Sequence, residues 1–346
     1  MNFAEMTKQI EQHWPDKTQA GGGVGGSMCE IECAPEVLPE LSHWLFLDQD
    51  YSFAGLIVEE GSTHWQLRYV FYGEHEAGWI HLLVNGRLTD RNFPTITEHV
   101  HAADWHEREA EDLFGLTFTG HPRLGDFVLH DDVWQESVEP MRRHFDIRKA
   151  MRQRQPDQNW HPRRVVEQPG AFIMPIGPVY SGVTEPVHFL LETVGEDVIR
   201  SVPRLFYKWR GIEKLAEGQT LDNVLLLAER FAATTAFAHG LAYCQAVESI
   251  GRAVVPPRAQ VLRIFLAELE RFRHHVGAIE GICESTALAV ASSQAAILEE
   301  DLLRVCGELT GHRYLFGLLT PGGLLCDLED DASRNALDQV QQALEQ

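Results

Sequence analysis

Between Gly177 and Phe189 the sequence reads GPVYSGVTEPVHF. Two Gly, two Pro, Tyr180, Ser181, Thr184 and Glu185 fall in one short stretch between apolar runs. A loop of this make-up can bring backbone close to a ligand, although an ordinary hairpin turn has the same composition. A charged series follows: Arg210, Glu213 and Lys214, then Glu229 and Arg230, then His239. Glu229 and Arg230 interrupt an otherwise apolar helical pattern, and charges placed there must be paired or functional. His239 lies nine residues past Arg230, about 2.5 turns, so on a straight helix the two side chains face opposite ways. The residues by themselves describe polar groups around a cleft, with no assembled triad, metal set or phosphate loop.

Other groups carry less. The chain has 17 histidines, so any pair is weak evidence of ligation. His99 and His101 are spaced to share a face of a strand, whereas His274 and His275 are adjacent on a helix and point apart. Glu107, Arg108, Glu109, Glu111 and Asp112 form a dense charged turn that reads as a solvated helix face. GGGVGGS at 21–27 contains the spacing G-x-G-x-x-G, but a helical pattern precedes it and a strand-like one follows, so it reads as a loop and not a dinucleotide site. Cysteines at 29, 33, 244, 283, 306 and 326 include no C-x-x-C pair and are expected to be reduced thiols.

The elements that must position these residues fall into two textures. Residues 3–14 and 35–45 read as helices. FAGLIVEE, WQLRYVFYG and GWIHLLVNG are β-branched and aromatic runs and read as strands. Residues 103–115 read as a helix closed by Gly115. Residues 1–150 are therefore expected to form an α+β domain, a small mixed or antiparallel sheet with helices on one face. From Arg142 to Arg164 eight Lys or Arg accompany two Asp, with Pro156 and Pro162, so 151–168 reads as a basic linker. Its charge suits an acidic partner or lipid headgroups, or simply a solvated connector. Residues 169–346 open with paired strands and become mainly α-helical over 220–251, 256–283 and 285–310.

The chain has 346 residues, 29 Lys plus Arg and 51 Asp plus Glu, a net charge of −22. A hydrophobic content of 44% is ordinary for a globular protein and excludes disorder or a small disulfide scaffold. The negative charge opposes binding to a phosphate backbone, so no nucleic acid partner is expected. The charge-free apolar segment Ser285–Leu298 contains Ser and Gln and is too short to span a bilayer. The charged N-terminus lacks the apolar core of a signal peptide. A cytoplasmic chain, peripheral on the membrane's inner face through partner subunits, is expected.

WHEREAEDLFGLTFTGHP, 105–122, resembles the signature of the C component of respiratory complex I, a domain also fused to the large subunit of formate-hydrogenlyase-type, membrane-bound (group 4) nickel–iron hydrogenases. That family continues G-H-P-D-L-R-R, whereas this chain has Gly120, His121, Pro122, Arg123, Leu124, Gly125 and Asp126. The second part resembles the hydrogenase large subunit and the related D component of complex I, which lines a quinone cleft without nickel. Glu185, Pro186, His188 and Phe189 match the E-P-x-H-F opening, with Tyr180 where a His is usual. Arg210, Gly211, Glu213 and Lys214 match R-G-x-E-K. In hydrogenases the next motif is E-R-x-C-G-x-C-x-x-x-H, and here Glu229, Arg230 and His239 are kept while Ala232 and Thr235 occupy the two cysteine positions. The second pair of nickel-binding cysteines, near the C-terminus of a longer chain in that family, has no counterpart before Gln346.

The resemblance implies an α+β domain like the complex I C component, followed by a mainly helical hydrogenase-large-subunit-like domain with a small β element. It implies an iron–sulfur subunit as partner, with its cluster in that partner, and membrane-arm subunits beside it. Three functions are consistent with it. One is a nickel-free, complex I-like subunit of a membrane oxidoreductase or ion-translocating assembly, lining a quinone-type cleft with Tyr180, Glu185, His188, Arg210, Glu213, Arg230 and His239. The second is a non-catalytic scaffold or accessory subunit, and the third a nickel–iron hydrogenase subunit. For the first two, no cofactor or metal is expected on this chain, because neither Ala232 nor Thr235 can offer a thiolate.

Overall fold

The fold is described from a computed structural model, over residues 3–21, 28–73, 78–134, 138–153, 156–179, 186–328 and 330–345. The GGGVGGS loop lies almost wholly outside this range, as do Tyr180 and Glu185. The chain divides into two compact units, Met1–Arg210 and Gly211–Gln346. The division falls later than the change of texture at 151–168 suggests.

The first unit begins with α1 (Phe3–His13), β1 (Thr18–Ala20) and β2 (Met28–Cys33). A 3-10 turn leads into α2 (Leu38–His43), and β3 (Ser52–Glu60), β4 (His64–Tyr72) and β5 (Trp79–Arg87) follow. The five strands form one sheet in the order β1-β2-β5-β4-β3. All pairs are antiparallel except β2 with β5, which is parallel from Met28↔Trp79 to Glu32↔Leu83. Strict alternation explains which face is buried. Trp65, Leu67, Tyr69 and Phe71 of β4 and Ile80, Leu82 and Val84 of β5 have no exposed surface. Met6 and Ile10 of α1 and Leu38 and Leu41 of α2 join the same core. The residues between them build a polar ladder on the other face: Arg68 pairs with Glu30 and with His81 Nδ1 at 3.1 Å, and Asn85 donates to Glu32 at 2.7 Å. Helices thus cover one face of a mixed sheet, as the pattern predicts.

Next come β6 (Asn92–Pro94), α3 (Asp104–Phe114) and β7 (Thr117–Thr119), with β6 and β7 paired in parallel. Gly115 closes α3 at φ 69°, a left-handed cap that suits glycine. His99 and His101 are not on a strand: the first lies in a turn and the second opens a 3-10 turn, so they do not share a strand face. After α4 (Ile147–Gln153), strands β8 (Ala171–Ile176), β9 (His188–Val194) and β10 (Asp197–Arg204) form an antiparallel sheet in the order β10-β9-β8.

The second unit contains α5 (Ile212–Ala216), α6 (Leu221–Phe231), α7 (Ala236–Gly251), α8 (Pro257–Ser285) and α9 (Ala289–Thr310), a small hairpin of β11 (Leu319–Thr320) and β12 (Gly323–Leu324), and α10 (Asp330–Leu344). Its core is made of Leu225, Phe237, Cys244, Leu266, Leu269, Leu302, Val305 and Cys306 among others. Arg263 of α8 is buried and fixes the hairpin. It makes a two-point bond to Glu248 (3.0 and 2.6 Å) and donates to the carbonyls of Thr320 and Gly323. Among the described residues, no helix is long and apolar enough to cross a membrane.

Candidate functional site

The apolar run 220–251 is not one straight helix. It breaks after Phe231: Ala232 leaves the helical region at φ −135°, a 3-10 turn runs over Ala233–Thr235, and α7 restarts at Ala236. Two consecutive β-branched threonines at the restart weaken helical continuity. The break contains Ala232 and Thr235, the two positions at which the resemblance expects the cysteine pair. The Thr235 hydroxyl turns back to donate to the Ala232 carbonyl at 3.3 Å.

Buried charges hold the break open. Glu270 of α8 is 3% exposed and accepts from the Phe237 and Ala238 amides at 2.8 and 2.9 Å. These are orphan N–H groups in the first turn of α7, where the helix dipole also favours a carboxylate. Burial nevertheless pushes the Glu270 carboxyl above its ordinary range, against the lowering effect of those amides. One turn on, Arg273, also buried, donates to the Thr234 carbonyl, pairs with Glu299 at 3.2 Å and lies over the Tyr314 ring. Glu229, 1% exposed, accepts from the Gly317 amide at 3.0 Å, and burial raises its pKa.

Arg230 and His239 flank this break. Arg230 projects outward, donating to the Leu226 carbonyl at 3.1 Å and lying 5.3 Å over the Phe316 ring. His239 stacks on Phe231, ring centroids 4.2 Å apart and nearly parallel, and burial lowers its pKa, which favours the neutral imidazole. The break therefore brings His239 against the residue next to Arg230, where a straight helix would have turned it away. Glu213 is exposed in the first turn of α5.

In the first unit, His188 opens β9 and its Nδ1 meets the Tyr207 hydroxyl at 3.3 Å. Its pKa is lowered by burial and then by the Arg204 charge. Arg210 is exposed at the end of that unit. Tyr180 and Glu185, on which the expected cleft turns, lie outside the described residues.

The charged turn of α3 is not a solvated face. Glu107 has no exposed surface and accepts from the Thr95 hydroxyl, the Ile96 amide (2.9 Å), the Thr97 hydroxyl (2.7 Å) and the Tyr69 hydroxyl (3.4 Å). Asp112 takes the amides of Phe127, Val128 and Leu129, and Glu111 takes that of Gly125. Arg108 lies over the Phe127 ring. The loop from Gly120 to Leu129 is thus fastened by the carboxylates of the preceding helix. Arg123 bonds the buried Asp104 at 2.7 Å.

Sequence reasoning missed Glu270 and Arg273. The available signal was their place within the apolar stripe Leu266, Leu269, Val276 of α8, where a charge needs a partner. In the helical core, burial raises the thiols of Cys244 and Cys306 to about 11.

Comparison with known proteins gives the following. Residues 31–151 match the family described as the respiratory-chain NADH dehydrogenase 30 kDa subunit. Formate hydrogenlyase subunit 5 of Escherichia coli K12 is 32% identical over 300 residues, 85% of this chain and 52% of that protein. Hydrogenase-4 component G of the same organism is 31% identical over 84% of this chain and 53% of its own length. The NADH-quinone oxidoreductase C/D subunit of Acinetobacter baylyi is 33% identical over 54% of this chain and 34% of its own. A chain of a membrane-bound sulfane sulfur reductase, an archaeal respiratory membrane complex, aligns with 51% of this chain and 46% of its own length, at a TM-score of 0.47 and 26% identity. The chain spans about half the length of the two E. coli relatives.

Proposed function

Since this chain belongs with the hydrogenase-like and complex I-like subunits and carries their 30 kDa-subunit domain over residues 31–151, we propose that it works without nickel, as a subunit of a membrane-associated oxidoreductase or ion-translocating assembly. In this reading it sits on the cytoplasmic face, packs against an iron–sulfur subunit and lines a quinone-type cleft with Tyr180, Glu185, His188, Arg210, Glu213, Arg230 and His239. The observation that carries the reading is the pair Ala232 and Thr235. A nickel–iron centre needs soft, anionic, strongly donating thiolates. Alanine offers a methyl, and the Thr235 hydroxyl is neutral and turned onto the Ala232 carbonyl. Cys244 lies nine residues past Thr235, inside α7 and fully buried, and does not replace them. Ligands from any further polypeptide would supply only the other pair.

The test is co-expression with the products of neighbouring genes, followed by metal analysis and hydrogen-uptake assays on the purified assembly. The expected result is iron and sulfide from a partner subunit, no stoichiometric nickel and no hydrogen turnover. Stoichiometric nickel together with hydrogen uptake overturns the proposal.

A further inference from the structure

The basic stretch after Arg142 separates into two kinds of cation. Arg142 is structural: it is buried, bonds Glu60 at 3.0 Å and Glu139 at 3.0 Å, and lies 4.8 Å over the Trp65 ring. It ties the start of the segment to the five-stranded sheet, and the Arg143 amide adds a bond to Glu60 at 2.7 Å. Asp146 then caps α4 by accepting from the Arg148 and Lys149 amides. Beyond this anchor, the side chains of α4 at 147–149 and 151–152 are exposed. Arg143, Arg148, Lys149 and Arg152 are exposed, and none of their side chains is ion-paired with any described residue. Other exposed cations, such as Arg87 and Arg252, also lack an ion pair among the described residues, but they are not gathered on one element with exposed apolar side chains as these four are. Arg258, Arg271, Arg304 and Arg313, by contrast, each hold a carboxylate. Ile147 and Met151, one turn apart on the same helix, are 56% and 52% exposed. A capped, amphipathic turn with two outward apolar side chains inside a ring of unpaired cations fits the boundary between anionic headgroups and acyl chains.

We propose that α4 with Arg143 is a docking surface for an anionic lipid bilayer, its cations on headgroup phosphates and Ile147 and Met151 at the acyl boundary. The net charge of −22 does not forbid this, because exposed charges farther than about 8 Å are largely screened at physiological ionic strength. A surface this small orients a protein that partner subunits also hold, since stable membrane attachment takes more than one weak signal. The inference goes beyond the nickel-free reading and does not depend on it. Its test uses this chain alone.

The experiment is flotation of the full chain with vesicles of phosphatidylcholine containing phosphatidylglycerol at about one lipid in four, against phosphatidylcholine alone. Flotation is expected only with the anionic vesicles, and it should vanish near 0.5 M salt, where the Debye length falls to about 4 Å. The triple variant Arg148→Ala, Lys149→Ala, Arg152→Ala should reduce partitioning more than tenfold, each cation near the surface contributing about fivefold. Its melting curve should match the parent's, because all three side chains are exposed and none is ion-paired with a described residue. The variant Arg271→Ala, Arg304→Ala, which removes two exposed but paired cations, should float like the parent. Failure of the parent to float with anionic vesicles, or equal flotation of the triple variant, overturns the proposal. Salt-sensitive binding to an acidic protein without any flotation also overturns it and assigns α4 to a protein partner.

Discussion

Replacing Glu107 tests whether the α3 carboxylates are structural. The Glu107 carboxylate has no exposed surface and faces four donors, from Thr95, Ile96, Thr97 and Tyr69. In Glu107→Gln the retained oxygen can keep the Ile96 amide and the Tyr69 hydroxyl. The new amide can donate to the two threonine hydroxyls, which rotate to accept. The expected loss is about 1 kcal/mol. In Glu107→Ala the Ile96 amide and the Tyr69 hydroxyl lose their acceptor in a dry site, and a cavity is left. Orphaned donors cost roughly 1–3 kcal/mol each, so a loss of about 3–5 kcal/mol is expected. Equilibrium urea unfolding gives both numbers, and hydrogen exchange at the Ile96 amide reports the site directly. The pH dependence has a definite sign. Burial raises the Glu107 pKa above the ordinary 4.5, so the folded chain holds this proton more tightly than the unfolded chain. That stabilisation is fully present below about pH 4.5 and is lost as pH rises through the raised folded value. Glu107→Gln should therefore gain on the parent as pH increases from 4 toward neutrality. An alanine variant within about 1 kcal/mol of the parent, with Ile96 exchange unchanged, would refute the reasoning.

Glu270→Ala should cost about 3 kcal/mol and speed exchange of the Phe237 and Ala238 amides, while Glu270→Gln keeps one acceptor and costs less; equal exchange in both variants would count against the capping role. Arg204, held by Asp126, Asp131 and Asp132 and stacked 4.3 Å from the Trp160 ring, should lose about 2 kcal/mol as Arg204→Leu. That loss should shrink as pH falls, because burial raises the Asp126 carboxyl above its ordinary range and the Arg204 charge that opposes this is gone, which thermal melts at two pH values would show. Thiol alkylation at neutral pH should reach half-buried Cys283 first and spare Cys33, Cys244 and Cys306, whose thiols burial raises to about 12, 11 and 11; early labelling of Cys306 would contradict the packing of α9.

What could be seen in the sequence was local. The alternation along 64–72 and the glycine after Phe114 specify β4 and the end of α3 because each depends only on neighbours. The run 220–251 hides its break because apolar residues all round give no phase by which to see a helix stop. The restart at Ala236 is stabilised by Glu270, more than thirty residues on, and no short window contains both. The charged turn of α3 misleads for the same reason: its partners sit at 95–97 and 123–129, on loops that the fold returns to it. Arg230 and His239 were recognisable as candidates. That Phe231 and not Arg230 meets the His239 ring followed only from the break.

The parallel pairing of β2 with β5 has a consequence for how the first unit can be cut. β3, β4 and β5 form a meander of near neighbours, able to assemble locally. β5, with the sequence WIHLLVNGR, is left by that meander with one whole row of backbone donors and acceptors unmatched, and only β2, from nearly fifty residues upstream, matches it. β2 is thus a guard strand. A fragment beginning after Cys33 would keep most of the residues that match the 30 kDa-subunit family, yet offer an apolar strand margin to the next copy of itself. Such a fragment should express as aggregate, and adding residues 28–33 back should restore a soluble domain.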